Sequence, residues 1–74
     1  MKNLKDVLTK AVPKVNFEDC ANLVSGGYID SLDILTIIVA LSEEYGIEIP
    51  FSEMKSENFE SLETIELMLK RILH

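Results

Sequence analysis

The sequence predicts an all-α fold, a small bundle of three main helices plus one short helix with a long first loop. Three observations carry this. Apolar residues recur at spacings of three and four in three separate stretches. The one alternating stretch, Ile47-Glu48-Ile49-Pro50, ends in proline and makes an extended linker, not a sheet. A chain of 74 residues has room for one core only.

Leu4, Val7, Leu8 and Ala11 share a helical face and Pro13 disfavours continuation, so the first helix is expected from about Asn3 to Ala11. About eighteen residues, among them Pro13, Asn16, Asn22, Ser25, Gly26 and Gly27, separate it from the next helical pattern. A loop that long in a small domain is functional or held by its own side chains. Val15, Phe17, Leu23, Tyr28 and Ile29 are the candidates to hold it, and Phe17 to Cys20 suits a short turn. The second helix is expected from Ser31 to Tyr45, with Asp30 as N-cap, Asp33 three residues on, and Gly46 as terminator. Ser52 to Lys55 and Ser56 to Phe59 each suit one helical turn. The last helix follows Ser61 as N-cap, buries Leu62, Ile65, Leu69 and Ile72, and runs from Glu63 and Glu66 to Lys70 and Arg71, the polarity that the helix dipole favours.

Charge narrows the function. The net charge is −6, but it is +3 over residues 1–14, −8 over residues 15–54 and −1 over the remainder, and the middle segment contains no Lys or Arg. Carboxylates repel phosphate, so nucleic acid and anionic membranes are excluded as partners of that segment, and enzymes with basic surfaces are expected instead. The longest strongly apolar stretch, Ile34 to Leu41, is far too short to span a bilayer, and no signal-peptide apolar region follows Lys2 and Lys5. A monomeric cytoplasmic protein is expected. Cys20 is alone, so it forms no internal disulfide, and it is read as inert. His74, the only imidazole, sits at the terminus and reads as solvated. No metal-ligand spacing is present, and the scattered carboxylates read as a solvated surface.

The second helix has more apolar surface than a thin bundle can cover. Ile34, Ile37, Ile38, Leu41 and Tyr45 form the core stripe, whereas Leu32, Leu35 and Val39 project from another side. The second stripe is expected to be at least partly exposed. Rimmed by Asp33, Glu43 and Glu44, it has the form of a transient docking surface, in which carboxylates steer a basic partner and the apolar strip holds it briefly.

Gly27-Tyr28-Ile29-Asp30-Ser31-Leu32-Asp33 opens this helix, and it resembles the signature of the acyl/peptidyl carrier protein family, an Asp-Ser-Leu at the start of the second helix after a long loop. Glu43-Glu44-Tyr45-Gly46-Ile47, Ile49-Pro50 and Ser56-Glu57-Asn58-Phe59 extend the likeness over nearly the whole chain, which is read as a single carrier domain, residues 1–74. The resemblance implies that Ser31 receives 4′-phosphopantetheine from coenzyme A, through a separate Mg²⁺-dependent phosphopantetheinyl transferase, with Asp30 and Leu32 flanking the site. It implies a carrier without catalysis of its own, holding an acyl or aminoacyl group as a thioester for loading and transfer enzymes. Asp30 and Asp33 oppose the phosphodiester anion but offer a landing point for the transferase's Mg²⁺ or basic residues. Gly26 and Gly27 are read as giving the loop room to bend for that approach.

Two departures from the fatty-acid carrier pattern matter. Tyr28-Ile29 replace small residues before Asp30, and Thr36 stands where the family pattern is usually acidic. The missing carboxylate at Thr36 argues against the standard fatty-acid synthase partners, and the Gly-Tyr-Ile-Asp-Ser-Leu form looks more like stand-alone carriers that work with an adenylating enzyme, such as aminoacyl or D-alanyl carriers and those of secondary-metabolite clusters. The alternatives are a fatty-acid or polyketide carrier and, from another class, an unmodified acidic helical adaptor.

Overall fold

The computed structural model describes residues 3–18 and 21–73. Helices α1 (Leu4–Ala11), α2 (Ser31–Tyr45) and α3 (Leu62–Leu73) are its main elements, with two 3₁₀ turns, Phe51–Glu53 and Ser56–Phe59, between the last two, and no strand among the described residues. Cys20, His74, Lys2 and the end of the turn expected at Phe17 to Cys20 lie outside the described residues.

Local chemistry sets the helix ends. Asn3 Oδ1 accepts from the Asp6 N–H at 3.0 Å and caps α1. Asp30 and Asp33 form a reciprocal capping box at α2, and Gly46 closes that helix in the left-handed conformation, φ 63°. At α3, Ser61 Oγ accepts from the Thr64 N–H while Thr64 Oγ1 accepts from the Ser61 N–H, at 3.1 and 3.0 Å.

Val7 and Leu8 of α1, Ile37, Ile38 and Leu41 of α2, and Ile65, Met68 and Leu69 of α3 meet in one core, with Ile34, Tyr45, Leu62 and Ile72 packed at its margin. The connecting segments complete it with Val12, Val15, Phe17, Leu23, Ile29, Ile49 and Phe59. Hence the long first loop is held by Val15, Phe17, Leu23 and Ile29 as expected, but Tyr28 is not part of the hold: it is 55% exposed. Its phenol stays in water while the next residue, Ile29, turns inward. Met68 joins the α3 stripe because it lies one turn after Ile65 on the same face.

The two helical turns expected at Ser52 to Lys55 and Ser56 to Phe59 are 3₁₀ turns, at Phe51–Glu53 and Ser56–Phe59. Arg71 of α3 and Asn58 of the second turn fix them. Arg71 Nη2 donates to Glu53 Oε1 at 2.8 Å and to Asn58 Oδ1 at 3.2 Å, while Asn58 Nδ2 donates to the Glu53 carbonyl at 2.7 Å. The guanidinium holds the Glu53 carboxyl below its ordinary range. Phe59, at the end of the second turn, is fully buried, whereas Phe51, at the start of the first, is 89% exposed.

Candidate functional site

Ser31 is the first residue of α2 and is exposed. The N-cap role belongs to its neighbour: Asp30 Oδ1 accepts from the Asp33 N–H at 3.0 Å, and Asp33 Oδ2 accepts from the Asp30 N–H at 3.1 Å. An ordinary capping serine would spend its hydroxyl on the helix backbone. Here that duty is discharged by Asp30, and Ser31 Oγ finds no hydrogen-bond partner among the described residues. The hydroxyl is primary, solvent-facing and set beside the first N–H groups of the helix, which have no intrahelical acceptor. A phosphodiester formed on it would lie at the positive end of the helix dipole, so the residues present fit a phosphopantetheine group.

Asp33 is less free than its place on the acidic rim suggests. Besides the capping box, Lys14 Nζ lies 2.8 Å from its Oδ2, and the Asp33 side chain is only 19% exposed. The hydrogen bond from Lys14, aided by the Asp30 N–H, holds the Asp33 carboxyl below its ordinary range, and the same bond raises the Lys14 ammonium. Lys5 pairs likewise with Glu18. Lys5 and Lys14 therefore fold onto the acidic middle segment and neutralise part of it. Asp30, Glu43 and Glu44 remain exposed.

The second apolar stripe is open to solvent, with Leu32 at 72%, Leu35 at 55% and Val39 at 56% exposure. These side chains line a shallow groove with Ala11, Ala40 and Glu43 that runs down α2 from Ser31. Thr36 also lines it, and its hydroxyl bonds back to the Leu32 carbonyl at 3.0 Å, so the position that lacks a carboxylate offers partners no charge.

The loop before Ser31 is a built turn, not a slack one. Gly27 sits at φ 77°, and a Cβ on Gly26 would come within 2.6 Å of the Asn22 carbonyl and 2.8 Å of the Tyr28 ring. Both glycines are thus required by the turn itself, which corrects the expectation that they supply freedom to bend. Sequence reasoning also missed the residue that anchors this turn, Glu60. Its carboxylate Oε1 accepts from the Val24 N–H at 3.0 Å and from the Ser25 N–H and hydroxyl at 3.1 and 3.3 Å, and its backbone carbonyl accepts from the Leu23 N–H at 2.8 Å.

What this geometry describes is a small helical platform presenting an unengaged hydroxyl at the head of its longest helix, the form of a carrier. The chain belongs to the phosphopantetheine attachment site family, whose model matches residues 4–72. It is 32% identical over 69 residues to Aminoacyl carrier protein 1 of Bradyrhizobium diazoefficiens, covering 93% of this chain and 76% of that one. It is 38% identical over 60 residues to the Acyl carrier protein of Thermosynechococcus vestitus (81% and 60%), and 41% identical over 54 residues to Acyl carrier protein 2, mitochondrial, of Arabidopsis thaliana (72% and 38%). No solved structure matches it significantly. The protein is accordingly a non-catalytic acyl or aminoacyl carrier whose prosthetic group is 4′-phosphopantetheine. No helix among the described residues is long and apolar enough to cross a membrane.

Proposed function

We propose that Ser31 is the attachment residue and that residues 1–74 act as one cytoplasmic, monomeric carrier domain serving an adenylating enzyme in a specialised biosynthetic pathway. The observation that supports Ser31 is the division of labour at the head of α2, where Asp30 caps and leaves the serine hydroxyl unengaged. In attachment, Ser31 Oγ displaces the adenine-nucleotide half of coenzyme A at phosphorus, and the hydroxyl proton passes to the transferase. When bound, the arm supplies a terminal thiol that holds the cargo as a thioester. The protein's own part is presentation: α2 holds the attachment point rigidly and the groove beside it brings each partner to a fixed distance, which turns transfer into a reaction at high effective concentration.

Two features favour the adenylating-enzyme reading over a fatty-acid or polyketide carrier. Thr36 is uncharged and bonded to its own helix, and the aminoacyl carrier of Bradyrhizobium is matched over most of both chains. Incubation with coenzyme A, Mg²⁺ and a broad-specificity phosphopantetheinyl transferase, read by intact mass, tests the carrier site. An unmodified adaptor gains no mass.

Leu32, Leu35, Val39 and Glu43, with Asp33 at the edge, form the proposed docking surface. Leu35→Asp is expected to lower partner-catalysed loading about tenfold to a hundredfold, the effect of charging the centre of an apolar contact. Because Leu35 is half exposed, the helical circular dichroism should persist; unfolding would instead make Leu35 a core residue. Association is expected to slow as salt rises, since the screening length falls from about 10 Å at 0.1 M to about 3 Å at 1 M. A rate that ignores salt would remove charge steering by Glu43 and Glu44.

A further inference from the structure

We infer that Glu60 is a positioning residue for modification of Ser31: one carboxylate, at the end of the 3₁₀ segment, holds the loop that delivers the serine to the head of α2. The inference rests on Ser31 being the attachment residue.

Glu60 is joined to Leu23, Val24 and Ser25 by the four bonds described above, three of them to a single carboxylate oxygen. The connection continues toward the site. The Leu23 carbonyl accepts from the Tyr28 N–H at 2.9 Å and the Ile29 N–H at 3.0 Å, so the strand of chain entering α2 is bonded to the stretch that Glu60 holds. Ile29 is buried, and Asp30 and Ser31 follow it directly. From the Glu60 carbonyl to Ser31 the path is thus two layers of backbone hydrogen bonds and one buried side chain, and the carboxylate braces that path by holding Val24 and Ser25, which follow Leu23.

The chemistry of the hold explains why a carboxylate is used. Successive N–H groups at Val24 and Ser25 converge on one point, and a single acceptor oxygen satisfies both with a charge-assisted bond. No apolar side chain at position 60 could satisfy them. Without the carboxylate, the turn keeps its internal bonds and the Leu23 N–H bond to the carbonyl of residue 60 but loses the three side-chain bonds that tie Val24 and Ser25 to the 3₁₀ segment, and the approach to Ser31 varies in position. Docking through Leu32, Leu35 and Val39 is independent of that tie, because those residues ride on α2 itself. The effect of Glu60 therefore falls on the chemical step and not on binding.

The test uses the full chain with coenzyme A, Mg²⁺ and the transferase, with rates read by intact mass. Glu60→Ala is expected to lower kcat about tenfold, less than the roughly hundredfold that a full ångström of misplacement can cost, while KM for the carrier stays within about twofold. Amide exchange at Val24 and Ser25 should quicken in the same variant. Glu60→Gln, which keeps the acceptor oxygen, should restore most of the rate. Equal kcat in wild type and Glu60→Ala, a loss carried by KM alone, or no rescue by Gln overturns the inference. If Glu60→Ala does not fold, Glu60→Asp, which draws the carboxylate back by one methylene, is held to the same split of kcat from KM. Failure of the Ser31 reading is separate: it shows as wild type gaining no mass, or as Ser31→Ala gaining it.

Discussion

Ser31→Ala is expected to reduce the gain of phosphopantetheine mass to background while leaving the helical signal and the unfolding midpoint almost unchanged. The first half follows from chemistry: the alanine methyl cannot displace the nucleotide half of coenzyme A, and no neighbouring group replaces the lost hydroxyl in position. Ser25 lies before α2, and its hydroxyl is bonded to Glu60. Ser42 is on the last turns of α2, and Thr36 Oγ1 is bonded to the Leu32 carbonyl. The second half follows from the capping geometry. Were Ser31 the cap, its loss would cost about 1 kcal/mol. With Asp30 as cap and Ser31 exposed at the first helical position, alanine is tolerated and the change stays within about 0.5 kcal/mol. Asp30→Ala makes the complementary control, since it removes the capping box and should lower stability while keeping the hydroxyl. Intact mass and urea unfolding of the two variants together separate the capping residue from the modified one. Mass gain by Ser31→Ala equal to that of wild type would end the attachment reading.

The parts of this protein that were legible in the sequence are those set by near neighbours. Both ends of α2 carry their own signals within four residues, Asp30 with Asp33 at one end and Gly46 at the other, and the structure places them where those signals point. Exposure of Leu32, Leu35 and Val39 followed from size alone, because a thin bundle can wrap only one side of its central helix. What was not legible depends on residues brought together from far apart. Glu60 meets Val24 across thirty-six positions and Lys14 reaches Asp33 across nineteen, and neither pairing leaves a spacing pattern to detect. The same limit explains Tyr28. Large aromatic side chains in a loop look like anchors, but whether one turns in or out is decided by the alternation at Ile29 and by the packing of Gly26 against Asn22. The charge sum follows from the sequence but the charged surface does not, since folding returns Lys5 and Lys14 to the acidic segment.

Phe59→Ala is among the substitutions expected to damage the fold most, and its contrast with Phe51→Ala isolates the reason. Phe59 is fully buried and contributes to the core from the second 3₁₀ turn, whereas Phe51, eight residues earlier, is 89% exposed. Truncating a buried phenylalanine costs about 3–5 kcal/mol, partly from lost transfer energy and partly from the cavity left behind. At roughly 0.05–0.15 kcal/mol per residue, a chain of this size has about 4–11 kcal/mol in total, so Phe59→Ala removes a large part of it. In urea, with a slope of about 1 kcal/mol per molar for a small domain, the midpoint should fall by about 3 M or the variant should be unfolded at the outset. Phe51→Ala should move the midpoint by no more than about 0.5 M on the same slope. A Phe59→Ala midpoint close to that of Phe51→Ala would show that the core closes without the 3₁₀ segment. The residue after Phe59 is Glu60, so the burial that stabilises the bundle also fixes where the carboxylate stands. In variants that still fold, weakening Phe59 should therefore quicken amide exchange at Val24 and Ser25 before it does so at Ile37 or Leu41. Exchange that rises uniformly across the chain would show loop and core opening as one unit, with no special link from Phe59 to the turn.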